Sequence, residues 1–262
     1  MKLKNYCLKP FVTAAAPRFM LRLFLFSKII NKYFQGDSYK CAELGPGLGD
    51  VAAVTESLDR FIQLDLIEEA NTACKILKQR FSKSKKINIH HTNLSDFNNN
   101  NQYYDAFFMF EVLEHIEDDL LFMQQISSLQ TVGGMLVMSV PSYMKKWQKQ
   151  DVWAGHIRRY ERNELVTVLE KSGYEIVEIV EYGFPLINIL QPLKDLFYRH
   201  KVKSQLIDSS KKTGRSGVEG RLEKRLIISI VFFVCYVCSY IQFVFKKLPF
   251  GDGFICVARK RN

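Results

Sequence analysis

A carboxylate followed by three glycines at every second position is the most informative chemical pattern in the sequence. Glu43 precedes Gly45, Gly47 and Gly49. Glycine adopts backbone angles that strain other residues, and it lets a ligand approach the main chain closely. Because an apolar segment precedes this loop and a helix is expected from Asp50, the pattern predicts a strand–loop–helix unit that binds a nucleotide.

The spacing of these glycines excludes two common nucleotide sites. A dinucleotide fingerprint, G-x-G-x-x-G, would require its third glycine at Asp50, and a P-loop requires Gly-Lys followed by Ser or Thr. A carboxylate, Asp65, stands about twenty residues past Gly45, where an α/β nucleotide site needs an acceptor for ribose hydroxyls. The sequence therefore predicts a second strand over 60–65 that ends at Asp65, and a helix that begins at Glu68.

Two further stretches extend the pattern. An apolar strand predicted from Tyr104 leads into Glu111-Val-Leu-Glu114-His115, and a later segment reads Gly-His156-Ile-Arg-Arg-Tyr160. Together with the glycine loop, they resemble class I S-adenosylmethionine-dependent methyltransferases. The strand resembles the fourth strand of the branch that includes the ubiquinone-pathway O-methyltransferases. The resemblance extends over residues 40–184.

This resemblance implies that the cofactor is S-adenosylmethionine and indicates which residues bind it. The methionine end would lie against the glycine-loop amides and Glu43, and the ribose against Asp65. Where the family has an Asp that binds the adenine amine, this chain has Asn93, whose amide oxygen can accept the same hydrogen bond. The implied cofactor-binding residues are Glu43, Gly45, Gly47, Gly49, Asp65, Asn93, Leu94, Phe110 and Glu111.

Two histidines are the candidate catalytic residues. A neutral imidazole of His156 or His115 can take a proton from a phenol or hydroxyl acceptor near pH 7. Resemblance to some methyltransferases with an E-x-x-E-H sequence offers a second interpretation, in which Glu111, Glu114 and His115 hold a divalent ion. In a third interpretation, Glu114 and His115 only cap and orient the following helix. No metal ligand is assigned.

The segment around His156 faces the substrate side of the pocket in the family that it resembles. The substrate-binding candidates are Trp153, Arg158, Arg159 and Tyr160. The two arginines could bind a carboxylate or phosphate on the acceptor. Alternatively, they pair with nearby acids such as Glu161.

The elements that must position these residues form an α/β fold. We expect a seven-stranded, doubly wound sheet of the class I methyltransferase type, closed by an antiparallel strand over 254–259, with an apolar helical insertion before this last strand. The predicted regions are an N-terminal basic amphipathic helix (1–36), a methyltransferase core (37–184), a basic and apolar insertion (185–250), and a closing strand with a basic tail (251–262).

The net charge of +10 is concentrated at the two ends of the chain. Residues 1–34 contain seven Lys or Arg and no acid, and residues 199–262 contain fourteen Lys or Arg and four acids. Basic ends beside apolar stretches favour attraction to an anionic membrane surface, whereas the acidic middle does not resemble a nucleic-acid enzyme with a basic cleft. Six scattered cysteines favour reduced thiols and a cytoplasmic location.

The insertion contains an uncharged apolar stretch, Leu226–Phe245, as long as a bilayer crossing. A single crossing would separate the closing strand from its sheet, so we expect an interfacial or re-entrant segment at the inner membrane face. Burial against its own domain, or in a dimer, is the alternative.

The sequence thus predicts a methyltransferase for a hydroxyl or phenol of a small amphiphilic or lipid-linked acceptor at the cytoplasmic face of the membrane. One alternative is a soluble methyltransferase for a polar metabolite or sugar. Another is a non-catalytic, membrane-associated binding protein with this fold. The oligomeric state is left open.

Overall fold

The computed structural model describes residues 8, 10–13, 16–98, 102–190, 225–245 and 248–262. The strands are β1 (Tyr39–Leu44), β2 (Phe61–Glu68), β3 (Ile87–His91), β4 (Tyr104–Phe110), β5 (Gln130–Pro141), β6 (Tyr174–Tyr182) and β7 (Gly253–Lys260). The α-helices include α1 (Pro17–Tyr33), α2 (Asp50–Glu56), α3 (Asn71–Arg80), α4 (Asp119–Ser128), α5 (Lys149–Ala154), α6 (Arg162–Lys171) and α7 (Arg225–Val244).

The seven strands form one sheet in the order β3-β2-β1-β4-β5-β7-β6. Strand β7 runs antiparallel to both of its neighbours, and the other strands are parallel to one another. This confirms the predicted seven-stranded sheet with its closing antiparallel strand. Because β1, β2 and β4 are neighbours and parallel, their carboxyl ends meet at one edge, where ligands bind in open α/β sheets.

The second strand is longer than predicted. It passes Asp65 and ends at Glu68, and α3 begins at Asn71 rather than at Glu68. The extension is stable because Leu66 and Ile67 are buried and pair in register with the last two residues of β1. The prediction that Asp65 ends the strand is therefore wrong.

The N-terminal helix α1 packs between the sheet and α7. Its Phe26 ring lies 5.2 Å from the Phe108 ring of β4, and its Phe24 ring lies 5.2 Å from the Phe232 ring of α7. Both phenylalanines of α1 are fully buried. The apolar residues of α1 thus belong to the core of the domain.

Helix α7 has two different faces. Its buried face includes Ile228, Phe232 and Cys235, which join the core on the α1 side of the sheet. The opposite face carries exposed apolar side chains, namely Ile230, Phe233, Val234, Val237, Tyr240, Ile241 and Val244. We call these seven residues the α7 outer face.

The structure supports helix formation in the insertion, but only part of that region can be assessed. Among the described residues, no helix combines the length and apolar character needed to cross a membrane. Residues 191–224 and the lysines at 246–247, which the sequence analysis included in the basic insertion, lie outside the described residues.

Candidate active site

The glycine loop between β1 and α2 has the unusual backbone that its sequence predicts. Gly45, Gly47 and Gly49 have φ values of 62°, 56° and 75°, in the left-handed region that favours glycine. The Gly45 amide donates to the carbonyl oxygen of Ile67 at 3.0 Å, which ties the loop to β2. A Cβ on Gly45 would lie 2.8 Å from Val112 Cγ2, so a side chain there would collide with the segment that follows β4.

Glu43 lies beside this loop, near the end of β1, and is buried. Its Oε2 atom has no hydrogen-bond partner among the described residues. Burial, reinforced by Asp50 and Glu68 and opposed by Arg80, raises the pKa of Glu43 to about 8. At pH 7 the Glu43 carboxyl is therefore mostly neutral, and one of its oxygens lacks a hydrogen-bond partner among the described residues. A bound ligand with a cationic or hydrogen-bond-donating group would satisfy this oxygen.

The acid that ends β2 is Glu68, which the sequence analysis did not identify. Its Oε2 accepts from the Gly47 amide at 3.1 Å, and its Oε1 accepts from the Ala70 amide at 2.9 Å. Glu68 thus contacts the glycine loop directly. The missed signal was the apolar pair Leu66 and Ile67, which continues the strand past Asp65 to Glu68.

Asp65 lies three residues before the end of the strand and is engaged in a side-chain network. Four groups donate to its carboxylate or lie within hydrogen-bonding distance at 2.7–2.9 Å, namely Gln63, Asn88, His90 and Tyr104. Burial opposes ionisation of Asp65, but these four partners outweigh it and lower its pKa. Its contact with a ribose stays a prediction, and the network favours a structural role.

Asn93, the predicted adenine contact, organises a local turn. Its Oδ1 accepts from Ser95 Oγ at 2.7 Å and from the Asp96 amide at 2.8 Å. Its Nδ2 donates to the Asp96 carboxylate at 2.9 Å. The neighbouring Leu94 is buried. These hydrogen bonds are local to the turn, and the contact of Asn93 with adenine stays a prediction.

The residues at the end of β4 meet two arginines of α1. Glu111 has a left-handed φ of 56°, and its Oε1 lies 2.9 Å from Arg22 Nη1. The same oxygen accepts from Ser139 Oγ at 2.9 Å and from Tyr182 Oη at 3.1 Å. Burial disfavours the Glu111 anion, but Arg22 and then Arg18 outweigh it and lower its pKa to about 2.

Phe110, the last residue of β4, is partly buried under α1. Its ring lies 5.4 Å from the Phe26 ring, and the Arg22 guanidinium lies 5.7 Å from its centroid. The predicted pair Phe110–Glu111 therefore lies at the carboxyl edge of the sheet, but α1 covers part of it. The basic residues of this region were expected to attract an anionic membrane surface, but Arg22 is buried and pairs with Glu111.

The two candidate catalytic histidines lie together. The His115 and His156 rings are 4.9 Å apart in an edge-to-face arrangement. His156 Nδ1 lies 2.8 Å from Asp151 Oδ1, and its Nε2 lies 3.6 Å from Glu114 Oε1. His115 Nδ1 lies 3.2 Å from the carbonyl oxygen of Gly155.

Glu114 completes this cluster as a fully buried acid. Neither of its oxygens has a hydrogen-bond partner among the described residues. Burial, reinforced by the charge of Glu111, raises the pKa of Glu114 well above its ordinary value. Burial and the neighbouring His156 lower the pKa of His115 and favour its neutral form. The cluster therefore places a buried acid against two imidazoles, and a neutral imidazole can accept a proton at its unprotonated ring nitrogen.

The same cluster is also the arrangement best suited to a metal ion among the described residues. Glu114, His115 and His156 each offer one ligand atom, and these atoms lie within 4.8 Å of one another. The sequence analysis had considered Glu111 in place of His156. Glu111 is instead paired with Arg22, which leaves the other three residues as the possible ligand set.

The four substrate-binding candidates lie in different environments. Arg159 and Tyr160 are buried, whereas Trp153 and Arg158 are partly exposed. Arg158 pairs with Asp119 at 2.8 Å, and Tyr160 Oη donates to the same carboxylate at 2.8 Å. Both arginines thus pair with acids, as one interpretation expected, but their partners are Asp119 and Asp151 rather than Glu161.

Residues 17–179 match the family described as "Methyltransferase domain". The chain belongs to this family. No curated protein matches the sequence of this methyltransferase significantly. The match confirms the predicted activity class and the predicted cofactor, S-adenosylmethionine; the narrower resemblance to ubiquinone-pathway enzymes is not confirmed.

Solved structures confirm the fold of the methyltransferase. A putative sarcosine dimethylglycine methyltransferase from Galdieria sulphuraria has a TM-score of 0.60 at 11% identity, with 93% of this chain and 85% of that chain covered. The N-methyltransferase NodS from Bradyrhizobium japonicum, in complex with S-adenosyl-L-homocysteine, has a TM-score of 0.54 at 14% identity, with coverages of 92% and 87%.

The [4+2]-cyclase SpnF is similar to the same extent. Its TM-score is 0.58 at 14% identity, and the alignment covers 92% of this chain and 82% of that chain. Identities at this level show the fold alone. Because the fold hosts N-methyltransferases and a cyclase, the acceptor of this methyltransferase must be inferred from its own site.

Proposed function

We propose that this methyltransferase methylates a hydroxyl or phenol oxygen of an amphiphilic or lipid-linked acceptor at the cytoplasmic face of a membrane. The observation that carries the proposal is the paired His115 and His156, which lie against a buried acid, Glu114, at the end of β4. An oxygen acceptor must lose a proton as it is methylated, and these imidazoles are suited to take it.

The carboxyl edge of β1 and β2 fits S-adenosylmethionine. The left-handed backbone at Gly45, Gly47 and Gly49 forms a loop without side chains at three positions, and such a loop lets a ligand approach the main-chain amides closely. Glu43 offers its unsatisfied oxygen to the methionine end, and Glu68 is placed to accept from ribose hydroxyls. When bound, the cofactor supplies an activated methyl group; the protein contributes binding, orientation and proton transfer.

His156 is the stronger candidate for the base, and His115 supports it. Asp151 fixes one ring nitrogen of His156, while the other faces Glu114. His115 packs edge-to-face against the ring and restricts its rotation. We therefore assign proton acceptance to His156 and orientation of its ring to His115.

An exposed apolar rim supports an amphiphilic acceptor. Helix α5 carries exposed Val152, and the segments on either side of it carry exposed Met144, Trp147 and Ile157, the last of which is adjacent to His156. Lys145 is exposed beside them. Exposed apolar side chains next to a cation suit an acceptor that has both an apolar body and a polar or anionic group.

The α7 outer face supports attachment to a membrane surface. Seven apolar side chains project from one side of the helix, while the opposite side is anchored in the core. An interfacial helix binds by burying such a face, and a basic protein is further attracted to anionic lipid. Attachment through one face keeps both ends of α7 on one side of the membrane, as the closing strand requires.

Co-sedimentation with vesicles tests the attachment. In the test variant, Phe233, Val237 and Ile241 become Ser. These residues are exposed, whereas Phe232 is buried against Phe24, and its replacement would perturb the fold. The matched control places Ser at three exposed apolar positions elsewhere, namely Ile62, Leu121 and Val132.

We expect the wild type and the control to sediment with vesicles of mixed neutral and anionic phospholipid, and the α7 variant to remain in the supernatant. Full burial of a large apolar side chain contributes about 1.5–3 kcal/mol, so three losses abolish binding if the face is inserted. Equal binding by the two variants would refute attachment through α7.

Methyl transfer to a lipid extract tests the acceptor class. The protein is incubated with methyl-labelled S-adenosylmethionine and either the organic or the aqueous fraction of a cell extract. We expect label in an organic-soluble product that is sensitive to His156→Ala. Label only in the aqueous fraction would favour the alternative of a polar metabolite or sugar.

A further inference from the structure

A buried chain of charged groups leads from Arg159 through Asp151 to His156. The side chains of Asp151 and Arg159 have no exposed surface, and that of His156 is 6% exposed. Arg159 Nε donates to Asp151 Oδ2 at 3.0 Å, and Arg159 Nη2 lies 2.9 Å from the same oxygen. The other carboxylate oxygen, Oδ1, lies 2.8 Å from His156 Nδ1.

The Asp151 carboxylate is held from several directions. The Gln148 amide donates to its Oδ2 at 2.7 Å, as part of a capping box at the start of α5. Arg159 is fixed in turn, because its Nη1 donates to the carbonyl oxygen of Ser142 at 3.2 Å. The Arg159 guanidinium and the Gln148 amide both donate to this buried carboxyl, which is the environment of a carboxylate, and a carboxylate can only accept hydrogen bonds.

An acceptor at 2.8 Å determines the tautomer of a neutral imidazole. His156 Nδ1 must carry the proton to donate to Asp151, which leaves Nε2 with a free lone pair. Nε2 lies on the side of Glu114, 3.6 Å from its Oε1. That side also contains His115, whose ring lies 4.9 Å from the His156 ring.

We propose that Asp151 is a positioning residue, fixed by Arg159, that keeps the His156 proton on Nδ1 and so leaves the lone pair of Nε2 available to act as the base. This inference rests on the proposed role of His156 as the base. The inference also gives Arg159 a function: its side chain is too buried to contact the acceptor, but it fixes Asp151.

Nitrogen-15 NMR of the imidazole rings in the full chain reports the tautomer directly. We expect His156 to be protonated at Nδ1 in the wild type at neutral pH. In Asp151→Asn the preference should be lost, because an amide can donate to Nδ1 as well as accept from it. Turnover with the lipid extract should fall at least tenfold and by up to about 10⁴-fold, the loss that follows when the acid that fixes the tautomer of a catalytic histidine becomes an amide.

Two further measurements separate positioning from stability. The affinity of Asp151→Asn for S-adenosylhomocysteine should stay within about twofold of the wild type, since Asp151 does not contact the glycine loop. Glu178→Gln removes a carboxylate from the pair with Lys32 at 2.8 Å, far from His156 in the fold, and should change neither turnover nor the spectrum.

Protonation of wild-type His156 at Nε2 would overturn the inference, and this result does not depend on whether any variant folds. Unchanged turnover in a folded Asp151→Asn protein would also overturn it. Full turnover in His156→Ala would instead refute the proposed base, while the spectrum would still test the contact with Asp151. Arg159→Lys retains the charge, and we expect it to preserve the Nδ1 proton with a smaller loss of turnover.

Discussion

Binding of S-adenosylmethionine should release a proton from Glu43. Burial, the largest cause, raises the pKa of this carboxyl from 4.5 to about 8. At pH 7, a group with this pKa carries about 0.9 proton. If the ammonium of the methionine end pairs with Glu43, the carboxyl ionises, and about 0.9 proton is released for each cofactor bound.

Calorimetry in two buffers with different ionisation enthalpies measures this proton directly. The observed binding enthalpy should differ between phosphate and Tris by about 0.9 of the difference in buffer enthalpy. Affinity should rise about tenfold from pH 6 to pH 7, because each unit below the pKa adds about 1.4 kcal/mol to the cost of ionising Glu43. Measurements below pH 7 avoid the titration of the cofactor's own amino group.

Glu43→Gln separates this proton from other sources. The variant should release no proton and should bind the cofactor with an affinity that no longer depends on pH in this range. Glu178→Gln, a carboxylate replacement on the surface of β6, should release protons like the wild type. Normal binding by the wild type without proton release would refute the assigned contact between Glu43 and the methionine end.

Three other predictions concern the neighbouring residues. Glu68→Gln should weaken cofactor binding by about 1–3 kcal/mol in calorimetry, whereas Asp65→Asn should lower the free energy of unfolding and leave affinity unchanged; the reverse result would restore Asp65 as the ribose acceptor. Arg22→Met should lower stability to urea by about 3–5 kcal/mol near neutral pH, since it leaves Glu111 buried with one distant arginine. The ionised Glu111 stabilises the wild type above pH 4.5, and this contribution to the free energy of unfolding is lost as the pH falls towards 2. The difference in the free energy of unfolding between the wild type and Arg22→Met should therefore shrink at low pH. A chelator should leave turnover unchanged if His156 acts as a base, and a loss restored by a divalent ion would favour a metal at Glu114, His115 and His156.

The arrangement of the sheet was predictable because its strands are marked by local patterns. The closing strand predicted over 254–259 is observed over Gly253–Lys260, and β4 begins at Tyr104 as expected. The unusual backbone of Gly45, Gly47 and Gly49 was also predictable, because three glycines at every second position indicate a loop whose backbone angles would strain other residues. Strand positions and glycine loops depend mainly on residues close to one another in the sequence, so a sequence pattern can predict them.

The partners of the charged residues were not predictable in the same way. Strands β1 to β4 lie between Arg22 and Glu111 in the sequence, and no pattern near either residue indicates that the two side chains pair. Asp151 was overlooked because a lone acid in a short helix resembles an ordinary cap, and it does serve as one through Gln148. Only the fold shows that its second oxygen reaches His156.

The basic residues of the N-terminal region show how unpredicted charge partners change a functional interpretation. Seven basic residues without an acid were interpreted as an attraction to anionic lipid, but Arg18 and Arg22 are buried and pair with Asp252 and Glu111. These two charges hold α1 over the end of β4 and are not available to a membrane. The attachment proposed above would therefore rely on the α7 outer face and on charges elsewhere, and vesicle binding should then depend more on Phe233, Val237 and Ile241 than on salt.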